Sequence, residues 1–312
     1  MKDFVIIADS GCELPEEFQK ENDIIVVQGY VIRDDGVEFR SRQHWDDEFT
    51  GEGFYQELKK NPERYTTAPA NDTEYYTVFE QYVKEGKDIL AVALSTGISG
   101  TLDFMKIAAN KIKEAYPEAR IELVDSLRFG PGFGLLVLYA ARLRKEGKDL
   151  DEVKAYLEAN KNRFHQMGWM DDLSFVAKKG RMTHGKAFMG SLIGIKPLGE
   201  FDYNGLVTVI AKAKGEKAAY EALLGYIEET IEDPEEQIIF IAQTNRRRQA
   251  EAYKKMIEER FHPKEVYIND VYMTCGVNMG PGLMAAYYYG KPISQGLTEE
   301  RAILAKYIGE KE

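Results

Sequence analysis

Clusters of glycine and hydroxyl residues are the parts of this sequence whose side chains could bind an anion. The most prominent is residues 95–101, STGISGT, which follows the apolar run 89–94 and precedes a helical pattern of apolar residues. A helix start presents unsatisfied N–H groups and a partial positive charge, so glycines and hydroxyls there suit a carboxylate or a phosphate. Alternatively, Ser99 caps one turn without any ligand, and the local sequence does not separate the two interpretations.

Further polar side chains follow other predicted strands. Asp9 and Ser10 come directly after the apolar run 4–8, and Ser126 ends a later strand pattern. Ligands of open α/β sheets bind at the carboxyl ends of the strands, which predicts that these side chains meet at one edge. Thr66 and Thr67 precede a further helix. Each of these residues could equally tie a turn or cap a helix through side-chain to backbone hydrogen bonds.

The motifs of several enzyme classes are missing from the sequence. Thr101 replaces the last glycine of GxSxG, and the histidines lie outside any evident triad context, at His44, His165, His184 and His262. No HExxH, clustered Cys/His spacing, EF-hand loop, GxxxxGK[ST] or GxGxxG occurs, so the sequence predicts neither a metal site nor a cofactor. A serine hydrolase using Ser99, or a phosphotransferase, is the enzyme alternative.

Composition places the chain among globular proteins of the cytoplasm. Its 312 residues are 44% hydrophobic and 30% charged, with a formal net charge of -11, a balance that does not favour a nucleic-acid partner. Cys12 and Cys275 form no metal or disulfide pattern, which favours a reducing compartment. No signal peptide is predicted, because the N-terminal apolar run 4–8 is too short for its core, and no integral membrane segment is predicted, because no apolar run reaches about 18 residues.

The order of predicted elements indicates an α/β protein of two domains. Strand and helix patterns alternate through residues 1–163, which predicts a mainly parallel, layered domain, and a second α/β domain is predicted over residues 164–312. Within the first domain, residues 24–32 read as one strand. In the second domain, residues 203–205 read as the bend of a hairpin.

Glycine-rich turns precede two apolar segments that we interpret as helices, residues 185–195 and 283–289. Both are rich in methionine and aromatic residues. Such segments are more often protein core than ligand pocket, but they are compatible with an amphipathic ligand.

Six segments, taken in order, resemble the DegV family, fatty-acid-binding proteins that include the binding subunits of bacterial fatty acid kinase. The segments are residues 6–18, 65–69, 94–101, 124–143, 178–198 and 276–286, which span nearly the whole chain. The resemblance implies a two-domain α/β fold with a long-chain fatty acid lying between the domains. It also implies that a separate kinase subunit is the catalyst and that this chain is not.

The resemblance further implies a set of site residues. Those of the carboxylate site and its surroundings are Thr66, Ser99, Gly100, Asn278, Asp9, Ser10, Ser126 and Gly280, and residues 274–290 would return to the ligand mouth. Asn278 stands where the family often has histidine, and an amide can donate a hydrogen bond but carries no charge. Arg181 is expected either to dock a partner or to frame the second domain.

Overall fold

The computed structural model describes residues 3–47, 49–184 and 194–308. The strands are β1 (Phe4–Asp9), β2 (Ile24–Val27), β3 (Tyr30–Arg33), β4 (Glu38–Arg40), β5 (Tyr65–Ala68), β6 (Asp88–Ala93), β7 (Ile121–Asp125), β8 (Phe164–Met170), β9 (Ile195–Phe201), β10 (Val207–Lys214), β11 (Ile238–Gln243), β12 (Glu265–Asp270) and β13 (Leu283–Tyr289). The helices are α1 (Glu16–Glu21), α2 (Gly51–Lys60), α3 (Asp72–Lys84), α4 (Thr101–Ala115), α5 (Gly130–Lys145), α6 (Leu150–Asn160), α7 (Ser174–Lys178), α8 (Gly215–Thr230), α9 (Arg247–Phe261), α10 (Met273–Met279) and α11 (Thr298–Ile308).

The first half of the chain, up to residue 163, contains a parallel sheet in the order β2-β1-β6-β7. Every residue of β1 is buried, as a strand covered on both faces requires. Val5 and Ile7 belong to one core cluster, which α3 and α4 complete, whereas Ile6 and Ala8 belong to the cluster that contains α5. This arrangement confirms the predicted layered α/β domain. A small antiparallel sheet, β4-β3-β5, lies beside it.

The second half of the chain, from residue 164 onwards, forms a six-stranded sheet in the order β10-β9-β8-β13-β11-β12. Among these described strands, only β11 and β12 are parallel neighbours. One face packs on α8, α9 and α11. The other face shares a continuous apolar core with α5 of the first half, through residues such as Leu283 and Tyr287. The two halves are therefore joined by hydrophobic packing. None of the helices in the described ranges is long and apolar enough to cross a membrane.

Residues 24–32 were predicted as a single strand, and that prediction is wrong. They form β2 and β3, which belong to different sheets. The strand is interrupted at Gly29, where a Cβ would lie 2.8 Å from the carbonyl oxygen of Ala68. Gln28 and Gly29 interrupt the apolar run at this point, a polar residue followed by a glycine, which is a turn signal that the prediction of one strand overlooked.

The helix predicted over residues 283–289 is also wrong, because this segment is the strand β13 and the helix α10 precedes the glycines. Met284 and Tyr288 pack into the core beneath α8, whereas Leu283 and Tyr287 pack into the core around α5. A strand buried on both faces has no polar alternation, so its sequence resembles a short buried helix. Most of the helix predicted over residues 185–195 lies outside the described residues; Ile195 begins β9.

Candidate functional site

A cavity lies between the two halves, at the carboxyl ends of β1 and β6. We call it the polar cavity; about 810 Å³ of non-atom space lies within it, a volume that includes its open mouth. Its lining comprises residues 9–11, 29, 67–70, 94, 98–101 and 129 from the first half and residues 181, 201, 207, 274, 275, 278 and 279 from the second. Both halves therefore contribute to one site.

The start of α4 forms one wall of the polar cavity. The N-cap residue is Gly100, which makes no side-chain cap, and a Cβ at Gly100 would have no neighbour within 4 Å. The Ser99 hydroxyl lies 2.8 Å from the Thr101 hydroxyl and accepts a hydrogen bond from the Thr101 N–H at 3.2 Å. This wall combines open space, two hydroxyls and the positive end of a 15-residue helix, a suitable environment for an anion.

Thr67 and Asn278 form the opposite part of the cavity. The Asn278 side chain lines it and donates from Nδ2 to the Thr67 hydroxyl at 3.1 Å and to the Thr274 carbonyl at 3.2 Å. Thr66 is exposed and does not line the cavity. The side chains of neighbouring residues in a strand point to opposite faces, so Thr67 faces the cavity and Thr66 faces away from it.

Asp9 and Ser10 also line the polar cavity, and both hold the surrounding backbone. The Asp9 carboxylate accepts hydrogen bonds from the N–H groups of Gly11 and Leu94, each at 2.7 Å. Burial raises the pKa of Asp9 to about 6, although these two donors oppose the change. The Ser10 hydroxyl accepts from the Gly29 N–H at 3.2 Å. These contacts fasten the ends of β1 and β6 and the break before β3.

Ser126 and Gly280 do not line the polar cavity. Ser126 is fully buried, and its hydroxyl accepts from the Arg128 N–H at 3.1 Å. Gly280 has a φ of 70°, and a Cβ there would lie 2.4 Å from the ring of Phe175. Each residue thus supports the chain behind the cavity.

Arg181 lies in the wall of the polar cavity. Its guanidinium donates to the Lys179 carbonyl, and its own carbonyl accepts from the Val207 N–H at 3.2 Å. The second bond ties the arginine to the start of β10. A positively charged residue therefore lines the same cavity as the hydroxyls of α4 and β5, a role that the sequence reasoning did not consider for Arg181.

α10 is anchored to the first half by a buried carboxyl group. Glu13 is 1% exposed, and its Oε2 accepts from the N–H of Tyr272, the N-cap residue of α10, at 3.1 Å. Burial raises the pKa of Glu13 to about 8, against the opposing hydrogen bonds from Cys275 and Tyr272. This contact positions the helix that carries Asn278.

A second, apolar cavity adjoins the polar one. About 410 Å³ of non-atom space lies within it, a volume that includes its opening, and both cavities are lined by Phe129, Phe201, Val207 and Met279. The rings of Phe129 and Phe201 stack with centroids 5.8 Å apart and planes 9° from parallel. A ligand with its polar end at α4 could therefore extend past this ring pair into apolar surroundings.

Sequence reasoning missed Thr67 as the inward threonine, the Phe129–Phe201 pair and the cavity position of Arg181. Strand alternation from the buried Tyr65 was a usable signal for Thr67, since residues two apart share a face. The pairing of Phe129 with Phe201 had no local signal, because it depends on the packing of the two halves.

Comparisons with known proteins agree with this fold. Residues 3–291 match the family model described as an uncharacterised protein of the DegV family. A DegV domain-containing protein of Clostridium perfringens is 35% identical over 290 residues, 93% of this chain and 98% of that protein. Among solved structures, a DegV family protein from Thermus thermophilus, described by its fatty acid binding, superposes with a TM-score of 0.82 at 24% identity over 93% of this chain and 100% of that chain. DegV from Bacillus subtilis, described as a fatty acid binding protein, gives 0.77 at 23% identity over 93% and 100%.

Proposed function

This chain belongs to the DegV family, and on that premise we propose that it binds a long-chain fatty acid with the carboxylate in the polar cavity and the tail in the apolar cavity. The observation that carries the proposal is that the two cavities adjoin and share Phe129 and Phe201 in their walls. The descriptions of the Thermus thermophilus and Bacillus subtilis proteins as fatty acid binding support the choice of ligand.

The energetic requirements of such a ligand match the two cavities. Burying a tail of about 16 carbons at ~0.8 kcal/mol per CH₂ supplies on the order of 10 kcal/mol before the costs of association. The carboxylate must keep hydrogen bonds when it leaves water. The hydroxyls of Ser99 and Thr67, the Asn278 amide and the Arg181 guanidinium are among the donors of the residues that line the polar cavity.

We assign the carboxylate contacts to Ser99, Gly100, Thr67 and Asn278, with Arg181 as the nearby positive charge. Thr67 takes the role first expected for Thr66, because Thr66 is exposed and outside the cavity. Asp9 and Ser10 hold the loops around the carboxylate, and Ser126 and Gly280 act from behind the wall.

We further propose that the chain presents the bound acid to a separate fatty acid kinase in the cytoplasm, the partner that the family resemblance implies. Within the described residues that line the polar cavity there is no histidine to activate Ser99. Both cysteines are buried free thiols, which suits a reducing compartment. ATP turnover by the isolated chain, or labelling of Ser99 by a covalent serine probe, would contradict this non-catalytic role.

Native mass spectrometry of the purified chain tests the binding proposal. We expect a co-purified fatty acid and, after delipidation, binding of added palmitate or oleate. Ser99→Ala should weaken that binding about five-fold through loss of one hydrogen-bonding hydroxyl. Ser174→Ala, in α7 and outside both cavities, is the matched control. A protein that is isolated empty and binds neither acid would refute the proposal.

A further inference from the structure

The apolar cavity contains a buried amide whose N–H₂ group has no hydrogen-bond partner among the described residues. Gln166 lies in β8, lines this cavity and is 5% exposed. Its Nε2 is buried and unpaired. Leaving a buried donor unpaired costs about 1–3 kcal/mol, so a polar group at this position is unfavourable unless something else accepts its hydrogen bond.

The orientation of the Gln166 amide is determined by its neighbour. The Phe129 N–H donates to Oε1 at 2.8 Å, and a backbone N–H can only donate, so the oxygen must face Phe129. Gly132 leaves room for this arrangement, since a Cβ there would lie 2.7 Å from the Gln166 Cγ. The unpaired group is therefore the amide nitrogen, and a flip of the amide would not satisfy it.

The surrounding wall offers no obvious acceptor. Glu200 also lines the apolar cavity, but its Oε1 accepts from the N–H groups of Gln166 and Phe201 at 2.9 and 2.8 Å. Tyr287, which also lines the cavity, makes no hydrogen bond to Nε2, and the remaining side chains of the lining are mainly apolar, including Met170, Leu173 and Leu283. The acceptor for Gln166 Nε2 must then come from the occupant of the cavity.

We propose that the preferred ligand is an oxygenated long-chain fatty acid, with a hydroxyl or keto oxygen along the chain that accepts a hydrogen bond from Gln166 Nε2. This inference rests on the proposed function and names its substrate class. A plain hydrocarbon tail leaves the donor unpaired, whereas an oxygen at the matching carbon satisfies it. The difference corresponds to about ten-fold in affinity, the effect of one neutral hydrogen bond in a buried site.

Calorimetric titration of the delipidated full chain with stearic acid and with a positional series of monohydroxystearic acids tests the proposal. We expect at least one positional isomer to bind about ten-fold more tightly than stearic acid. Stearic acid that binds while every hydroxylated isomer binds equally or more weakly would overturn this inference and leave the proposed function standing. Failure of all these acids to bind would refute the proposed function itself.

Gln166→Met assigns the effect to the amide. The variant keeps the length of the side chain, and the Phe129 N–H loses its acceptor for every ligand alike, so the ratio of the two affinities isolates Nε2. We expect the ratio to fall to about one. Gln243→Met is the matched control, because Gln243 is a buried glutamine of the same sheet that bonds to Asp270 outside the cavity. A preference that survives Gln166→Met would overturn the assignment, and the wild-type titration decides the ligand class even if the variant does not fold.

Discussion

Asn278 donates a hydrogen bond to the hydroxyl of Thr67 across 3.1 Å, and this bond links α10 of the second half to β5 of the first. The two residues are 211 positions apart in sequence. The link lies in the wall of the polar cavity, so the same groups that join the halves also face the proposed carboxylate. The proposed binding would therefore be coupled to the relative placement of the two halves at this point.

Replacing Thr67 by valine should weaken palmitate binding about five- to ten-fold, because the variant keeps the shape of the side chain and removes a hydroxyl from the cavity wall. Thr66→Val is the matched control on the exposed side of the same strand and should change affinity less than two-fold. Titration of both delipidated variants provides the comparison. A larger loss for Thr66→Val would return the carboxylate contact to Thr66.

Arg181→Gln should weaken fatty acid binding about ten-fold and reduce its salt dependence, since a charged donor near a carboxylate contributes more than a neutral one. The affinity for oleate, measured at low and at moderate ionic strength, checks both effects. Arg260→Gln is the control, because Arg260 lies on α9 and pairs with Glu228 outside the cavities. An unchanged affinity together with an unchanged salt dependence would exclude Arg181 from the carboxylate site.

Ionisation of the buried Glu13 should make the protein less stable as the pH rises towards about 8. Its folded pKa of about 8 lies above the ordinary value of 4.5, so the folded state holds the proton more tightly than the unfolded state between these values. The free energy of unfolding should therefore fall across this window, by up to about 1.4 kcal/mol per pH unit. Urea titrations of wild type and Glu13→Gln at several pH values between pH 6 and pH 8 isolate this contribution.

In that comparison the variant should lose less stability than wild type over the same pH range, because an amide does not ionise. Glu16→Gln, a change in the exposed first turn of α1, should follow the wild-type curve. Parallel curves for wild type and Glu13→Gln would show that Glu13 does not titrate in this window.

Gly205→Ala should lower the free energy of unfolding by at least about 2 kcal/mol, since it combines backbone strain with a steric clash. Gly205 has a φ of 70°, and a Cβ there would lie 1.9 Å from the Ser95 Oγ, which donates to the Gly205 carbonyl at 2.9 Å. Gly147→Ala is the control, with a φ of 86° and no atom within 4 Å of the new Cβ. Urea unfolding of both variants separates strain from contact, and equal losses would mean that the Ser95 contact contributes nothing.

The parts of the site that sequence reasoning reached are those encoded locally. The alternation of strands and helices predicted the parallel sheet, and residues 98–101, the second part of the predicted turn 95–101, lie in the cavity wall. To choose between Thr66 and Thr67, one must know which face of β5 is turned to the cavity, and that depends on the pairing of β5 with β3. To predict β13 as a strand, one must know that both faces of its sheet are covered, because a strand buried on both sides has no alternation of polar and apolar residues. The unpaired amide of Gln166 depends on three-dimensional packing and has no local signal.

The central position of β13 has a consequence for synthesis on the ribosome. β13 lies between β8 and β11, so a nascent chain that ends before it holds only the separate fragments β10-β9-β8 and β11-β12. Pairing of β13 with β8 joins residues more than a hundred positions apart, the kind of non-local contact that forms slowly. α10 emerges just ahead of this strand. The exposed sheet edges of a nascent chain that lacks β13 are therefore sites prone to pairing with other chains, and the apolar cavity, which Leu283 and Tyr287 line, cannot form until this strand has emerged.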